Sequence, residues 1–152
     1  MKLSRVCLLT VLAASAFQAK VIANEVFESK EDAMGYRQAA FSMLHMHFDL
    51  MGDMVKGKRS YDPEEFVKRA EHVAALSRLP WEAFIKGSDK GETSALPAIW
   101  EKQADFMSKA KSFEQSTAHL ANIAQSDDKA KIKTAFKSVA KECKACHNKY
   151  KD

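Results

Sequence analysis

The sequence predicts an all-α fold, an antiparallel four-helix bundle, and three observations carry that prediction. No stretch alternates apolar and polar residues with a period of two. Every glycine and proline lies at or before Pro97, and most of them punctuate the chain instead of filling its periodic stretches. Four amphipathic segments are joined by three connections, two of them short, which favours antiparallel neighbours.

The first helix is expected from about Ser29 to Val55, since Arg37, Phe41, Leu44 and Phe48 recur at helical spacing and Gly57 ends the pattern. After a turn over Lys56 to Tyr61, Asp62-Pro63-Glu64-Glu65 supplies an N-cap, a proline at the first helical position and a capping-box acid three residues on. This opens a second helix to about Ser77, with Phe66, Ala70, Val73 and Leu76 on its apolar face. A long connection rich in Gly, Lys and Ser then runs from Leu79-Pro80 to Pro97, and connections of this length often carry function. The third helix starts at Ala98 and places Ile99, Phe106, Phe113 and Leu120 seven residues apart, as helices packing nearly parallel require. Ser126-Asp127-Asp128 breaks it and caps the fourth, which carries Ile132, Phe136, Val139, Cys143, Cys146, His147 and Tyr150 on one stripe.

Lys2 and Arg5 precede an uncharged run from Val6 to Phe17, with small residues before Asn24, which reads as an export signal over residues 1–23. Residues 24–152 are then the mature domain, expected in the periplasm. The run is too short to span a bilayer comfortably, and no later stretch approaches the needed length, so no membrane insertion is expected. Without Lys2, Arg5 and Lys20 the chain has 21 basic and 20 acidic side chains, which gives no case for a nucleic-acid or anionic-membrane partner.

Cys143-Lys144-Ala145-Cys146-His147 is the c-type haem attachment pattern, in which two thiols tether the porphyrin and the adjacent imidazole binds iron. Positions i, i+3 and i+4 share a helical face, so both tethers and the ligand can address one haem c. A thiol oxidoreductase is the competing reading, but it would want its first cysteine at a helix N-terminus, and this pair sits at a C-terminal end. A zinc site would need a further ligand from His45, His47, His72 or His119, and no second closely spaced pair supplies one. Only five residues follow His147, so any sixth iron ligand must come from upstream. The first helix offers Met34, Met43, Met46, Met51 and Met54, all of which read equally well as packing residues. The last residues are candidates for fraying.

Several separated motifs, in order, resemble the cytochrome c′ family: Tyr36-Arg37-Gln38, Met54-Val55-Lys56-Gly57 with Tyr61-Asp62, Leu79-Pro80-Trp81-Glu82-Ala83-Phe84, Ile99-Trp100, and the C-terminal haem motif with Tyr150. The resemblance implies a four-helix bundle, a homodimer, and an electron carrier or gas-binding haem protein rather than an enzyme. Its iron is expected to be five-coordinate, with nitric oxide and carbon monoxide as ligands and a redox partner protein of unspecified identity. It further implies that Arg37 and Gln38 contact the haem, Arg37 through a propionate, that Glu92 approaches the haem edge, and that Phe41 covers the open face of iron. Trp81 and Phe84 are expected to wall the pocket, with Trp100 and Phe106 as core. Helical phase puts Met43 about 200° from Phe41, so it should point elsewhere. His45 shares Phe41's face where the family usually has a small residue, while His47 reads as structural. A low-spin cytochrome with a Met or His ligand from the first helix is the alternative. Lys151 stands where the family commonly has arginine, supplying charge without a planar stacking surface.

Overall fold

The computed structural model describes residues 26–126 and 128–152; the expected export signal over residues 1–23 and Asp127 lie outside the described residues. Helix α1, Lys30–Val55, opens where the Ser29 side chain accepts from the Asp32 amide at 3.0 Å. It closes in a Schellman motif: the Lys58 amide donates to the Asp53 carbonyl at 2.9 Å and the Gly57 amide to the Met54 carbonyl at 3.2 Å. Gly57 takes the left-handed φ of 72° that this closure requires. Helix α2, Pro63–Leu76, is capped by the Asp62 carboxylate accepting from the Glu65 amide at 3.0 Å. The long connection contains a 3-10 turn at Pro80–Ala83. Helix α5, Lys129–Tyr150, starts where Asp128 accepts from the amides of Ala130 and Lys131.

The third helix differs from expectation. It is broken at Lys102 (φ −123°, ψ 42°) into a one-turn α3, Ala98–Glu101, and a long α4, Gln103–Ala124. The seven-residue spacing survives the break, because Ile99, Phe106, Phe113 and Leu120 are all buried.

The four long helices pack α1 on α2, α2 on α4, and α4 on α5. Their shared core joins Met51 of α1, Phe66 and Val73 of α2, Leu120 of α4, and Ile132 and Val139 of α5. Phe66 is wholly buried there, so Phe66→Ala is expected to destabilise the protein by about 3–5 kcal/mol. Urea unfolding checks this as a lowered midpoint at unchanged slope. At this end of the bundle α1 also meets α5, where Phe48 stacks on Phe136 with ring centroids 4.2 Å apart. Gly52 permits the approach, since a Cβ there would sit 3.3 Å from Phe136 Cζ. Beyond that contact α1 and α5 are held apart, and a cavity lies between them.

The chain end is tied down rather than frayed. The Leu96 amide donates to the Tyr150 carbonyl at 3.0 Å, the Asp152 amide donates to the Ser94 carbonyl at 2.9 Å, and Ala95 and Lys151 form an antiparallel bridge. The long connection thus closes one end of the cavity. Among the described residues no helix is long and apolar enough to cross a membrane.

Candidate functional site

The cavity between α1 and α5 has a volume of about 770 Å³ and a largely apolar wall, within the range of pockets that enclose a cofactor. Helical phase explains who faces it. Arg37, Phe41, Leu44, His45 and Phe48 lie at three- and four-residue steps on α1, and Cys143, Cys146, His147 and Tyr150 do the same on α5; all line the cavity. Phe113 and Phe106 of α4 and Trp81 and Phe84 of the connection complete the aromatic part of the wall.

The aromatic groups brace one another mostly edge to face, with Trp81 and Phe84 stacked. Phe41 meets Trp81 with centroids 5.7 Å apart and Phe84 at 6.4 Å, while Trp81 meets Phe106 at 5.8 Å. Trp81 is aimed by its ring N–H, which donates to the Ser77 carbonyl at 2.7 Å at the end of α2. Ser77 is itself held, because Thr117 of α4 donates to its hydroxyl at 2.9 Å, both side chains being fully buried. Trp100 donates to the carbonyls of Phe84 and Ile85, fixing the second half of the connection. Phe106 therefore belongs to the cavity wall as well as to the core, whereas Trp100 supports the wall from behind.

Arg37 is 2% exposed. Its guanidinium donates to the Ala83 carbonyl, the Ser88 hydroxyl and carbonyl, and the Thr93 hydroxyl, at 2.6–3.0 Å. It lies 4.7 Å from the centroid of Phe84. These bonds make Arg37 the clamp that holds the connection over the cavity, a role that sequence spacing does not reveal. Gln38 lines the cavity and donates to the Glu92 backbone carbonyl at 2.8 Å. Glu92 itself is exposed and is not part of the lining; Thr93, Ser94 and Ala95 are.

The three donors of the motif meet on one wall. Burial pushes the Cys143 thiol up to about 11 and also raises Cys146. At about 11 the Cys143 thiol holds about one part in ten thousand as thiolate at pH 7, and the upward direction at both positions is the opposite of the activation a redox pair needs. His147 is lowered, first by burial and then by the charges of Lys151 and His45, which favours the neutral imidazole that a metal requires. Among the described residues no methionine lines the cavity: Met34, Met51 and Met54 are buried elsewhere, and Met43 and Met46 are exposed. His45 does line it, with its side chain largely in solvent and paired to Asp49 at 3.0 Å. His47 is engaged away from the cavity, with Arg69 at 3.0 Å and against the His72 ring. Among the described residues no group of three or more His, Cys, Asp or Glu could hold a metal ion.

At the far end Tyr150 Oη and Lys149 Nζ both donate to Asp105 Oδ2 of α4. These bonds lower the Asp105 carboxyl to about 2, Lys149 contributing most. The sign is that of a carboxylate depressed on folding: its contribution is complete above about pH 4 and is lost as pH falls through about 2. Wild type is expected to lose urea resistance between those pH values more steeply than Asp105→Asn; parallel curves would show that the contact contributes nothing.

The family model for Cytochrome C′ matches residues 32–151. The chain belongs to the cytochrome c′ family. The cytochrome c′ of Alcaligenes xylosoxydans xylosoxydans is 38% identical over 125 residues, covering 82% of this chain and 97% of that one. The solved cytochrome c prime from Shewanella frigidimarina is 50% identical, with a TM-score of 0.82 over 83% of this chain and 98% of its own. A nitrosyl complex of a cytochrome c prime variant from Alcaligenes xylosoxidans is 37% identical, with a TM-score of 0.77 over 83% of this chain and 99% of its own. The cofactor of the cytochrome c′ family is a covalent c-type haem with iron. The cavity fits that group: it offers two thiols and an imidazole on one helix, facing an apolar and aromatic wall on another.

Proposed function

We propose that the protein is a periplasmic haem protein, not an enzyme, that works in electron transfer and in binding nitric oxide and carbon monoxide. Cys143 and Cys146 tether the haem and His147 is the single protein ligand to a five-coordinate iron. When bound, the haem supplies a one-electron couple and an iron site for a diatomic gas. The observation that carries this reading is the position of Phe41, a side chain that cannot ligate, on the cavity wall that α1 presents opposite the motif of α5.

Each role follows from the chain's own chemistry. The aromatic wall excludes water and anions and admits small neutral gases. Arg37 and Gln38 hold the connection at the cavity rim, and both line the cavity, where a propionate would meet them. The nitrosyl complex of the Alcaligenes relative supports nitric oxide as a ligand. A homodimer is consistent with the exposed Met43 and Met46 on the outer face of α1, a kind of side chain common at interfaces. Lys151 leaves the His147 side of the site without the arginine common in the family.

Optical and resonance Raman spectra of the ferric and ferrous protein test this directly. A five-coordinate, high-spin ferrous iron is expected. Low-spin iron in both states would overturn it. The second reading then follows from His45, which shares the cavity with Phe41: if His45→Ala abolished the low-spin spectrum, His45 would be the sixth ligand.

A further inference from the structure

The charge of the mature chain is close to balanced in total but not in placement. Residues 129–152 carry eight lysines against only Glu142 and Asp152, whereas residues 24–128 carry thirteen basic and eighteen acidic side chains. Within α5 the excess is further sorted. At about 100° per residue, Lys133, Lys137, Lys141, Lys144 and Lys151 fall within a sector of about 80°. All five are exposed. The sector borders the His147 edge of the buried stripe, and Lys144 and Lys151 line the cavity mouth itself.

This arrangement opposes helix stability. Lys133–Lys137 and Lys137–Lys141 are like-charge pairs one turn apart, each unfavourable by a few tenths of a kcal/mol. A face needed only for solubility would interleave acids. Lys131 and Lys149 do have partners, Asp128 and Asp105, whereas Lys133, Lys137, Lys141 and Lys144 form no ion pair among the described residues. A row of unneutralised lysines leading to the edge of a redox site attracts a negatively charged partner and orients it there.

We propose that the lysine row of α5 is the docking surface for an acidic redox protein, which exchanges one electron with the haem at the cavity mouth. The inference rests on the electron-transfer part of the function proposed above. The exchange moves one electron between iron and partner and no proton.

The test uses the haem-loaded protein, its spectrum already verified, so that a failure of haem binding is seen before this question is asked. Oxidation of the ferrous protein is followed with the anion hexacyanoferrate(III) and the cation tris(phenanthroline)cobalt(III) across ionic strength. Binding of flavodoxin, an acidic flavoprotein used as the macromolecular probe, is followed by calorimetry. The wild type is expected to react with the anion about tenfold faster at low salt than well above about 0.1 M, to show the opposite trend with the cation, and to bind flavodoxin only at low salt. Lys133→Glu/Lys137→Glu/Lys141→Glu is expected to reverse both slopes and abolish flavodoxin binding with its haem spectrum and melting curve intact. Equal salt slopes in the two proteins, or flavodoxin binding unchanged by the substitutions, would overturn the proposal. So would wild-type binding to anionic lipid vesicles in preference to flavodoxin, which would make the row a membrane-surface contact. If the threefold variant did not fold, the same comparison with Lys133→Gln/Lys137→Gln would decide it, since a smaller but parallel loss is expected.

Discussion

Cys143→Ala/Cys146→Ala is expected to release the haem completely into acidified organic solvent, from which the wild-type polypeptide would emerge still coloured. The two thiols sit one helical turn apart on α5, both on the cavity wall, so under the proposed function each would supply one tether. Removing one leaves a single covalent bond and a haem that still resists extraction. Removing both converts an intramolecular association into an ordinary equilibrium, with His147 and the aromatic wall as the only remaining holds. The single variants are therefore expected to stay coloured through denaturing electrophoresis with haem staining, and the double variant to lose all stain. A stained double variant would mean that the haem is attached elsewhere.

Phe41→Ala is the second large effect, and it concerns rate instead of retention. The Phe41 ring projects from α1 into the cavity and is braced by Trp81 and Phe84, so it cannot swing aside without disturbing both. Truncation to a methyl group removes that obstruction while leaving Arg37, Gln38 and the motif untouched. Carbon monoxide association, measured by stopped flow on the ferrous protein, is expected to accelerate at least about tenfold, equivalent to about 1.4 kcal/mol of barrier. Phe41→Leu should fall between the two. An unchanged rate would place the barrier elsewhere, with His45 at the cavity mouth as the next side chain to replace.

Much of this molecule is legible in sequence because its signals are local. Ser29, Asp62-Pro63 and Asp128 announce helix starts within a residue of where they occur, since a cap and the amide it satisfies lie two or three positions apart. The motif and Phe41 are legible for the same reason: each is placed on its helix by a repeat of three or four. The break at Lys102 is not, because no glycine or proline marks it and the seven-residue apolar spacing runs straight across it. The clamp made by Arg37 is hidden too, its acceptors lying 46 to 56 residues away in an irregular connection. Ser77 and Thr117 look like surface hydroxyls and are fully buried, joined only by the fold, and through them α4 sets the orientation of Trp81. Glu92, a position inferred from resemblance alone, lies on the exposed side of the connection, and its backbone carbonyl is held by Gln38.

The separation of α1 from α5 has a consequence for how the protein comes together. Each of the neighbouring pairs α1 with α2 and α4 with α5 closes through a short turn, so these two hairpins can form early and independently. The cavity is bounded instead by the first helix and the last, which meet where Phe48 and Gly52 approach Phe136, and closing that contact between segments far apart in sequence carries a high loop entropy. Whatever fills the cavity therefore acts as a clasp between opposite ends of the polypeptide. The haem is as much the last element of the tertiary structure as it is the site of reaction.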